Sequence, residues 1–369
     1  MRITFVLPPV NMRGGTKVVA IYAEQLQHRG HIVRVVSPPP PSVALRRKLK
    51  AWLLRRDIDN DSRSPPSFFD GIKVDHTILD RYRPVTDTDV PDADVVVATW
   101  WETAEWVYAL SPAKGAKAYL IQHHEVFPHL PIERCQATYR LPLHKIVIAR
   151  WLKKVMADEY GDPSADLVPN SVDHAQFFAD SRNKQSVPTA GLLYASTPFK
   201  GLDIALAALE DVRKNFPDLR VISFGTEKIK PHLSLPSNAE FIFHPAQELI
   251  RTLYSRCDVW VTASRSEGFN LPAMEAMACR TPVVSTKTGW PAEAIVTGKN
   301  GVLVDVGDYQ GLRDGISWSL SQTNERWREL SANAYETVAK SSWEASTVLL
   351  ERALENARAK RKEMPCLTI

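Results

Sequence analysis

The 369-residue chain lacks most of the features that would take it away from ordinary globular proteins. Its four cysteines (Cys135, Cys257, Cys279, Cys366) are widely separated with no C-x-x-C pair, which argues for reduced thiols, a cytoplasmic setting and no structural zinc. No apolar run approaches the ~20 residues that span a bilayer. The ITFVL that follows Arg2 is too short for a signal-peptide core and lacks a cleavage site. Net charge is only +4, so its placement matters more than its sum. The loop after the first strand has no true G-x-G-x-x-G, which argues against a dinucleotide site. With 44% hydrophobic and 24% charged residues disorder is not expected, and the length suits two domains.

What is present centres on Ser264 to Ser285, SRSEGFNLPAMEAMACRTPVVS. The preceding DVWVT, Asp258 to Thr262, is β-branched and aromatic like a buried strand. A polar loop with Glu267, Gly268 and Asn270 follows, and Pro272 sits where a helix would begin. Thr281 to Ser285 reads as the next strand. Strand, glycine loop, helix, strand aims free N–H groups and the positive helix end outward, which suits a phosphate. Glu267 in the loop and Glu275 in the first helical turn frame that end. Taken singly, each has an ordinary reading: a helix-stabilising acid at Glu275, a solvated loop acid at Glu267, a turn at Gly268. Taken together, the E-x-x-x-x-x-x-x-E pattern, headed by EGF and followed by LPxxEAMAC and TPVV, resembles the signature of family-4 retaining glycosyltransferases. Asn270 stands where a small residue is commoner in that signature, a place from which it would touch the sugar.

The first half opens as a Rossmann-like domain: strand Ile3 to Leu7, loop Asn11 to Gly15, helix Thr16 to His28, strand His31 to Val36. The resemblance implies that Gly14 and Gly15 line a cleft near the diphosphate and acceptor; a simple tight turn is the plain alternative. A short strand is expected at Ile72 to Asp75, and buried strands at Val95 to Ala98 and Ala116 to Ile121. The last of these ends in Gln122-His123-His124-Glu125-Val126-Phe127-Pro128, and polar residues at the carboxyl end of a parallel strand face the ligand crevice. His124-Glu125-x-x-Pro128 fits the family's pattern, with Glu where Asp is commoner. The resemblance implies that His124 contacts the donor sugar; the alternative is a hydrogen-bonded loop histidine. A metal on the His123–His124 pair is disfavoured, because adjacent strand-end residues diverge and no third ligand is evident.

Between these strands, SVALRRKLKAWLLRR follows four prolines. Leu45, Leu49, Trp52 and Leu53 share one helical side, flanked by Arg46, Arg47, Lys48, Lys50, Arg55 and Arg56. That composition fits an interfacial helix on an anionic membrane surface, or a helix packed on its own domain with a solvated basic face. One aromatic and no stacking platform argue against nucleic acid.

Leu167 to Asp173 resembles the family's IPNGVD hinge, with Ser171 in place of glycine. After a polar linker, Asp180 to Pro188, comes strand Gly191 to Ala195, then Ser196-Thr197-Pro198-Phe199-Lys200-Gly201 and helix Leu202 to Lys214. Lys200-Gly201 matches the family's diphosphate-binding Lys-Gly, but the companion arginine is absent: Tyr194, Ala195 and Ser196 stand there. Charge compensation then rests on Lys200, the helix end and the Ser196 or Thr197 hydroxyl. Strands are expected at Leu219 to Phe224, Ala239 to Phe243 and Gly301 to Val304. Gly225 is a place where backbone can approach a nucleotide, Glu248 and Leu249 begin a helix that in the family borders the base, and Glu293 stands where the family often has another acid.

The expected fold is therefore α/β, of the GT-B kind, with two Rossmann-like domains facing across a cleft. Residues 1–172 form an acceptor-binding domain, 173–342 a nucleotide-sugar-binding domain, and 343–369 a helix that crosses back to the first. The implied activity is retaining transfer of a hexose from a nucleotide-diphosphate sugar, UDP-glucose being the first expectation, to a glycan or lipid-linked saccharide acceptor. No metal or other cofactor is required on this reading. Lys200 and the N–H groups of Phe269, Asn270 and Leu271 stabilise the leaving phosphate, Glu267 fixes sugar hydroxyls, Glu275 holds the ribose, and His124 completes the catalytic set. The expected location is cytoplasmic and peripheral on the inner membrane face. The rival readings are a catalytically silent nucleotide-sugar-binding protein, given the missing arginine and Arg280 where the family has glycine, or another enzyme of the same fold such as an epimerase.

Overall fold

The computed structural model describes residues 1–41 and 66–363. The basic segment containing Arg46, Arg47, Lys48, Lys50, Trp52, Arg55 and Arg56 lies outside the described residues. Contacts divide the chain into two compact units: Met1–Ile148, Leu152–Val168 and the chain from Glu344 form one, and Ala149–Trp151 with Pro169–Trp343 form the other.

The first unit runs β1 (Arg2–Val6), α1 (Gly14–His28), β2 (Ile32–Ser37), β3 (Asp75–Ile78), β4 (Val95–Ala98), α2 (Trp101–Ala109), β5 (Ala116–Ile121), α3 (Ile132–Thr138), β6 (His144–Val147), α4 (Arg150–Tyr160, whose Arg150 and Trp151 fall in the second unit) and β7 (Asp166–Leu167). Its seven strands are parallel in the order β3-β2-β1-β4-β5-β6-β7. All four residues of β4, VVVA, are buried, as a parallel strand covered on both faces requires. Helix α1 buries Val18, Val19, Tyr22, Ala23 and Leu26 at helical spacing. Two expectations need correction here. The strand expected at Ile72 to Asp75 is at Asp75–Ile78, because Asp75 is the residue that pairs with Arg34 of β2. Gly14 and Gly15 are not loop residues either; they form the first turn of α1.

The second unit runs β8 (Thr189–Leu193), α5 (Leu202–Asn215), β9 (Arg220–Gly225), β10 (Glu240–Phe243), α6 (Gln247–Ser255), β11 (Val259–Thr262), α7 (Leu271–Ala278), β12 (Val283–Thr286), α8 (Pro291–Ala294), β13 (Gly301–Val304), α9 (Tyr309–Ser321) and α10 (Asn324–Val338). Its six parallel strands are ordered β10-β9-β8-β11-β12-β13. Leu206, Leu209 and Val212 of α5 and Leu312, Ile316 and Leu320 of α9 share one buried cluster with Val221, Val259 and Val284 of the sheet. Each such side chain contributes about 1.5–3 kcal/mol on burial. The expected linker after Asp180 is pinned instead: the buried Asp258 carboxylate accepts the N–H groups of Gln185 (2.8 Å) and Thr189 (2.9 Å). The closing helix α11 (Trp343–Glu363) belongs to the first unit from Glu344 onward. Its Glu351 accepts hydrogen bonds from the Arg29 guanidinium at 2.6 and 2.9 Å and lies 2.7 Å from His31 Nε2.

In this strand order β8 and β11 are neighbours and their onward connections run to opposite ends of the sheet. The carboxyl ends of β8 and β11 are thus the switch point of the second unit, where open α/β sheets form a crevice.

Candidate functional site

At that switch point the loops after β8 and β11 meet. Lys200 Nζ lies 2.8 and 2.9 Å from the two carboxylate oxygens of Glu267, and Ser264 Oγ donates to Glu267 at 2.6 Å. Glu267 is buried, whereas 27% of the Lys200 side chain remains accessible. Gly201 makes this approach feasible. It has φ +63°, caps α5, and sits so close to the β11 loop that a Cβ would come 2.0 Å from the Ala263 carbonyl oxygen. Behind the pair a recess of about 30 Å³ is lined by Leu192, Trp260, Thr262, Asn270 and Pro272, among others.

Helix α7 begins at Leu271, one residue before Pro272. Asn270 is the helix cap. It adopts φ +77°, accepts from the Ala273 N–H and donates through Nδ2 to Thr262 Oγ1 at 2.9 Å. Glu275 stands in the second turn rather than the first, and its buried carboxylate accepts the Tyr254 hydroxyl proton at 2.9 Å. The N–H groups of Gly268, Phe269, Asn270 and Leu271 have no acceptor among the described residues, so this helix end presents donors to whatever occupies the switch point.

Other contacts brace the loop, none of them evident from the sequence. The Trp151 indole N–H donates to the Gly268 carbonyl at 2.9 Å, and the Trp290 N–H donates to the Phe269 carbonyl at 2.8 Å. The Trp290 and Phe269 rings stack with centroids 5.9 Å apart. Glu293, which stands where the resembled family often has an acid, accepts the Trp151 N–H at 3.1 Å. Ser196 donates its hydroxyl to Glu227, and Thr197 gives its carbonyl to the Lys200 N–H at 2.9 Å. At Gly225, where backbone was expected to approach a nucleotide, a Cβ would fall 2.4 Å from the Tyr194 carbonyl, so the glycine allows close strand packing. Glu248 and Leu249 lie exposed in the first turn of α6.

In the first unit, His124 follows β5. Its Nε2 lies 2.7 Å from the Tyr160 hydroxyl and 3.9 Å from Glu159. Burial lowers its pKa, against the raising effect of Glu159, so the imidazole is neutral at pH 7. The Tyr139 hydroxyl accepts from the Glu125 N–H (2.8 Å) and donates to the His123 carbonyl (3.2 Å), which fixes the backbone on either side of His124. The Glu125 carboxylate turns inward to the Trp101 N–H at 2.9 Å, and burial raises its pKa well above the ordinary carboxylate range. Gly15 offers its carbonyl to the Gln122 amide at 3.2 Å. Among the described residues no cluster of His, Cys, Asp and Glu could hold a metal ion.

Residues 177–337 match the family model described as glycosyl transferases group 1. The group 1 segment covers both the Lys200–Glu267 pair and α7. The chain is also 29% identical over 168 residues to an uncharacterized glycosyltransferase of Methanocaldococcus jannaschii, covering 44% of this chain and 46% of that protein. It spans about half the length of the curated relatives it matches. Among solved structures, sucrose-phosphate synthase from Thermosynechococcus elongatus superposes with a TM-score of 0.71 at 16% identity, covering 97% of this chain and 100% of that one. Anabaena HepE, solved with UDP and glucose, gives 0.70 at 15% identity, covering 96% and 100%. Two parallel Rossmann-like sheets and these likenesses show the GT-B fold.

Proposed function

We propose that this protein transfers a hexose, with retention, from a nucleoside-diphosphate sugar to a glycan or lipid-linked saccharide, without a metal. The observation that carries the reading is the Lys200–Glu267 pair beside the donor-rich end of α7, inside the group 1 segment. A lysine and a row of unaccepted N–H groups suit a diphosphate, whose negative charge grows as the glycosidic bond to it breaks. Departure of the nucleoside diphosphate moves the bonding pair onto the β-phosphate oxygen; Lys200 and the N–H groups of residues 269–271 stabilise it there. That oxygen then takes the proton of the acceptor hydroxyl attacking from the same face. Glu267 holds sugar hydroxyls, Glu275 the ribose hydroxyls, and Glu248 and Leu249 border the base. The second unit is thus the donor domain and the first the acceptor domain, where neutral His124 offers an uncharged contact to substrate. UDP-glucose is the first donor to try, because HepE was solved with UDP and glucose.

The test is a thermal-shift screen against UDP, GDP, ADP and their common sugar conjugates, with and without magnesium. A ligand that binds only the folded state raises its stability by mass action. A magnesium-independent shift with one nucleotide is the expected result. A shift that needs magnesium overturns the metal-free reading, and no shift with any nucleotide overturns the donor site itself.

A further inference from the structure

The buried acid of α7 has a partner that the sequence pattern does not indicate. Tyr254, near the end of α6, is fully buried, with its ring packed edge-on against Phe177, Phe224 and Trp260. Its hydroxyl donates to Glu275 Oε2 at 2.9 Å. Burial and the adjacent Glu275 charge raise the phenol pKa well above its ordinary value, so the hydroxyl keeps its proton and can only donate to this carboxylate. A carboxylate has about four lone-pair positions, and Tyr254 takes one of them. Three aromatic neighbours fix the ring, and the ring fixes the oxygen. A glutamate has three rotatable torsions, and this one is held from its tip by a group that cannot itself move.

We propose that Tyr254 is a positioning residue for nucleoside recognition. It presents the Glu275 carboxylate in the one rotamer from which its lone pairs meet a ribose diol, and thereby sets the preference for ribose over its deoxy forms. This rests on the donor-site reading of Glu275 given above. A group that merely stabilised the fold would lower affinity for all nucleotides alike. A group that aims Glu275 changes the discrimination between a nucleotide with a diol and one without.

The experiment measures, by isothermal titration calorimetry, binding of UDP and 2′,3′-dideoxy-UDP to the full chain, with the GDP and ADP pairs alongside. The proteins compared are the wild type, Glu275→Gln, Tyr254→Phe and the double variant. Wild type should prefer the ribonucleotide by about tenfold or more, the scale of a bond between a charged and a neutral group, and Glu275→Gln should abolish most of that preference. Tyr254→Phe should lose most of it too, while binding of the dideoxy form changes by less than about twofold. Tyr254→Phe removes a single oxygen. If the loss of that hydroxyl prevents folding, the double variant, which carries no buried charge at this place, is read instead. Its ribose preference must equal that of Glu275→Gln alone. A Tyr254→Phe protein that keeps the full preference, or a double variant that falls below Glu275→Gln, overturns the inference and leaves the donor site standing. If wild type shows no ribose preference, or Glu275→Gln retains it, the ribose role of Glu275 fails and this inference with it. If none of the nucleotides binds, the donor site itself fails.

Discussion

Replacing Lys200 by methionine tests whether the switch-point pair is a coupled unit. The substitution keeps the aliphatic stem and removes the charge that faces both Glu267 oxygens at 2.8 and 2.9 Å. Glu267 is only 7% exposed and would keep the Ser264 hydroxyl at 2.6 Å. Breaking a fully buried pair costs about 3–5 kcal/mol, and an exposed one about 0–1 kcal/mol. Because 27% of the lysine side chain reaches solvent, an intermediate loss of about 2 kcal/mol is expected. For a domain of this size that is a fall in Tm of roughly 4–8 °C. Glu267→Gln leaves behind the more accessible partner, which can turn to water, and should cost about 1 kcal/mol. The Lys200→Met, Glu267→Gln double variant strands no charge, so it should recover about 1–2 kcal/mol of the summed losses. Urea denaturation of the four proteins, followed by tryptophan fluorescence, measures the cycle. Losses that add to within about 0.5 kcal/mol would refute the coupling.

At the α7 cap, stability should rank Asn270, then glycine, then alanine. Glycine loses the cap bonds for under about 1 kcal/mol, whereas alanine also bears the left-handed φ of +77°, for about 2 kcal/mol in all, as read by denaturant midpoints. Gly201→Ala would drive a Cβ to 2.0 Å from the Ala263 carbonyl at φ +63°, so it should cost more than about 3 kcal/mol and separate the Lys200 and Glu267 loops; a thermal melt within a few degrees of wild type would contradict this. In the first unit, burial lowers the pKa of His76, His124 and His144 below the ordinary 6.5. Their neutral forms favour the fold, so this stability is present above pH 6.5 and is lost as pH falls through 6.5 toward the depressed values. Denaturation at pH 7.5, 6.5 and 5.5 should show the decline, and His124→Gln should lessen it.

Much of the fold was legible because burial on both faces leaves a continuous apolar run. Val95 to Ala98 and Ala116 to Ile121 appear with the bounds their composition indicates. The edge strand β3 was not, because Asp75, His76 and Thr77 carry no such run and its place is set by pairing with β2. Glu267, Lys200 and α7 stood out through a local pattern; what they touch did not. Lys200 meets Glu267 across 67 residues, a distance closed by the pairing of β8 with β11, and Trp151 meets Gly268 across 117. The one-residue error in the start of α7 has a local cause. A non-glycine residue at φ +77° is an uncommon cap, and the earlier start makes Glu275 the fifth helical residue rather than the fourth.

No arginine precedes Lys200 at the place where the resembled family has one. Ser196, which occupies part of its place, carries no charge and spends its hydroxyl proton on Glu227 rather than offering it to a diphosphate. Lys200 is itself held by a buried acid. On the proposed reading, an incoming diphosphate must therefore compete with Glu267 for Lys200, and the carboxylate it displaces needs new donors at once, since a buried unpaired charge is costly. Sugar hydroxyls on the same donor would supply them. The pair would then favour the intact nucleotide sugar over the free nucleoside diphosphate, because the diphosphate alone takes the lysine and gives the glutamate nothing in return.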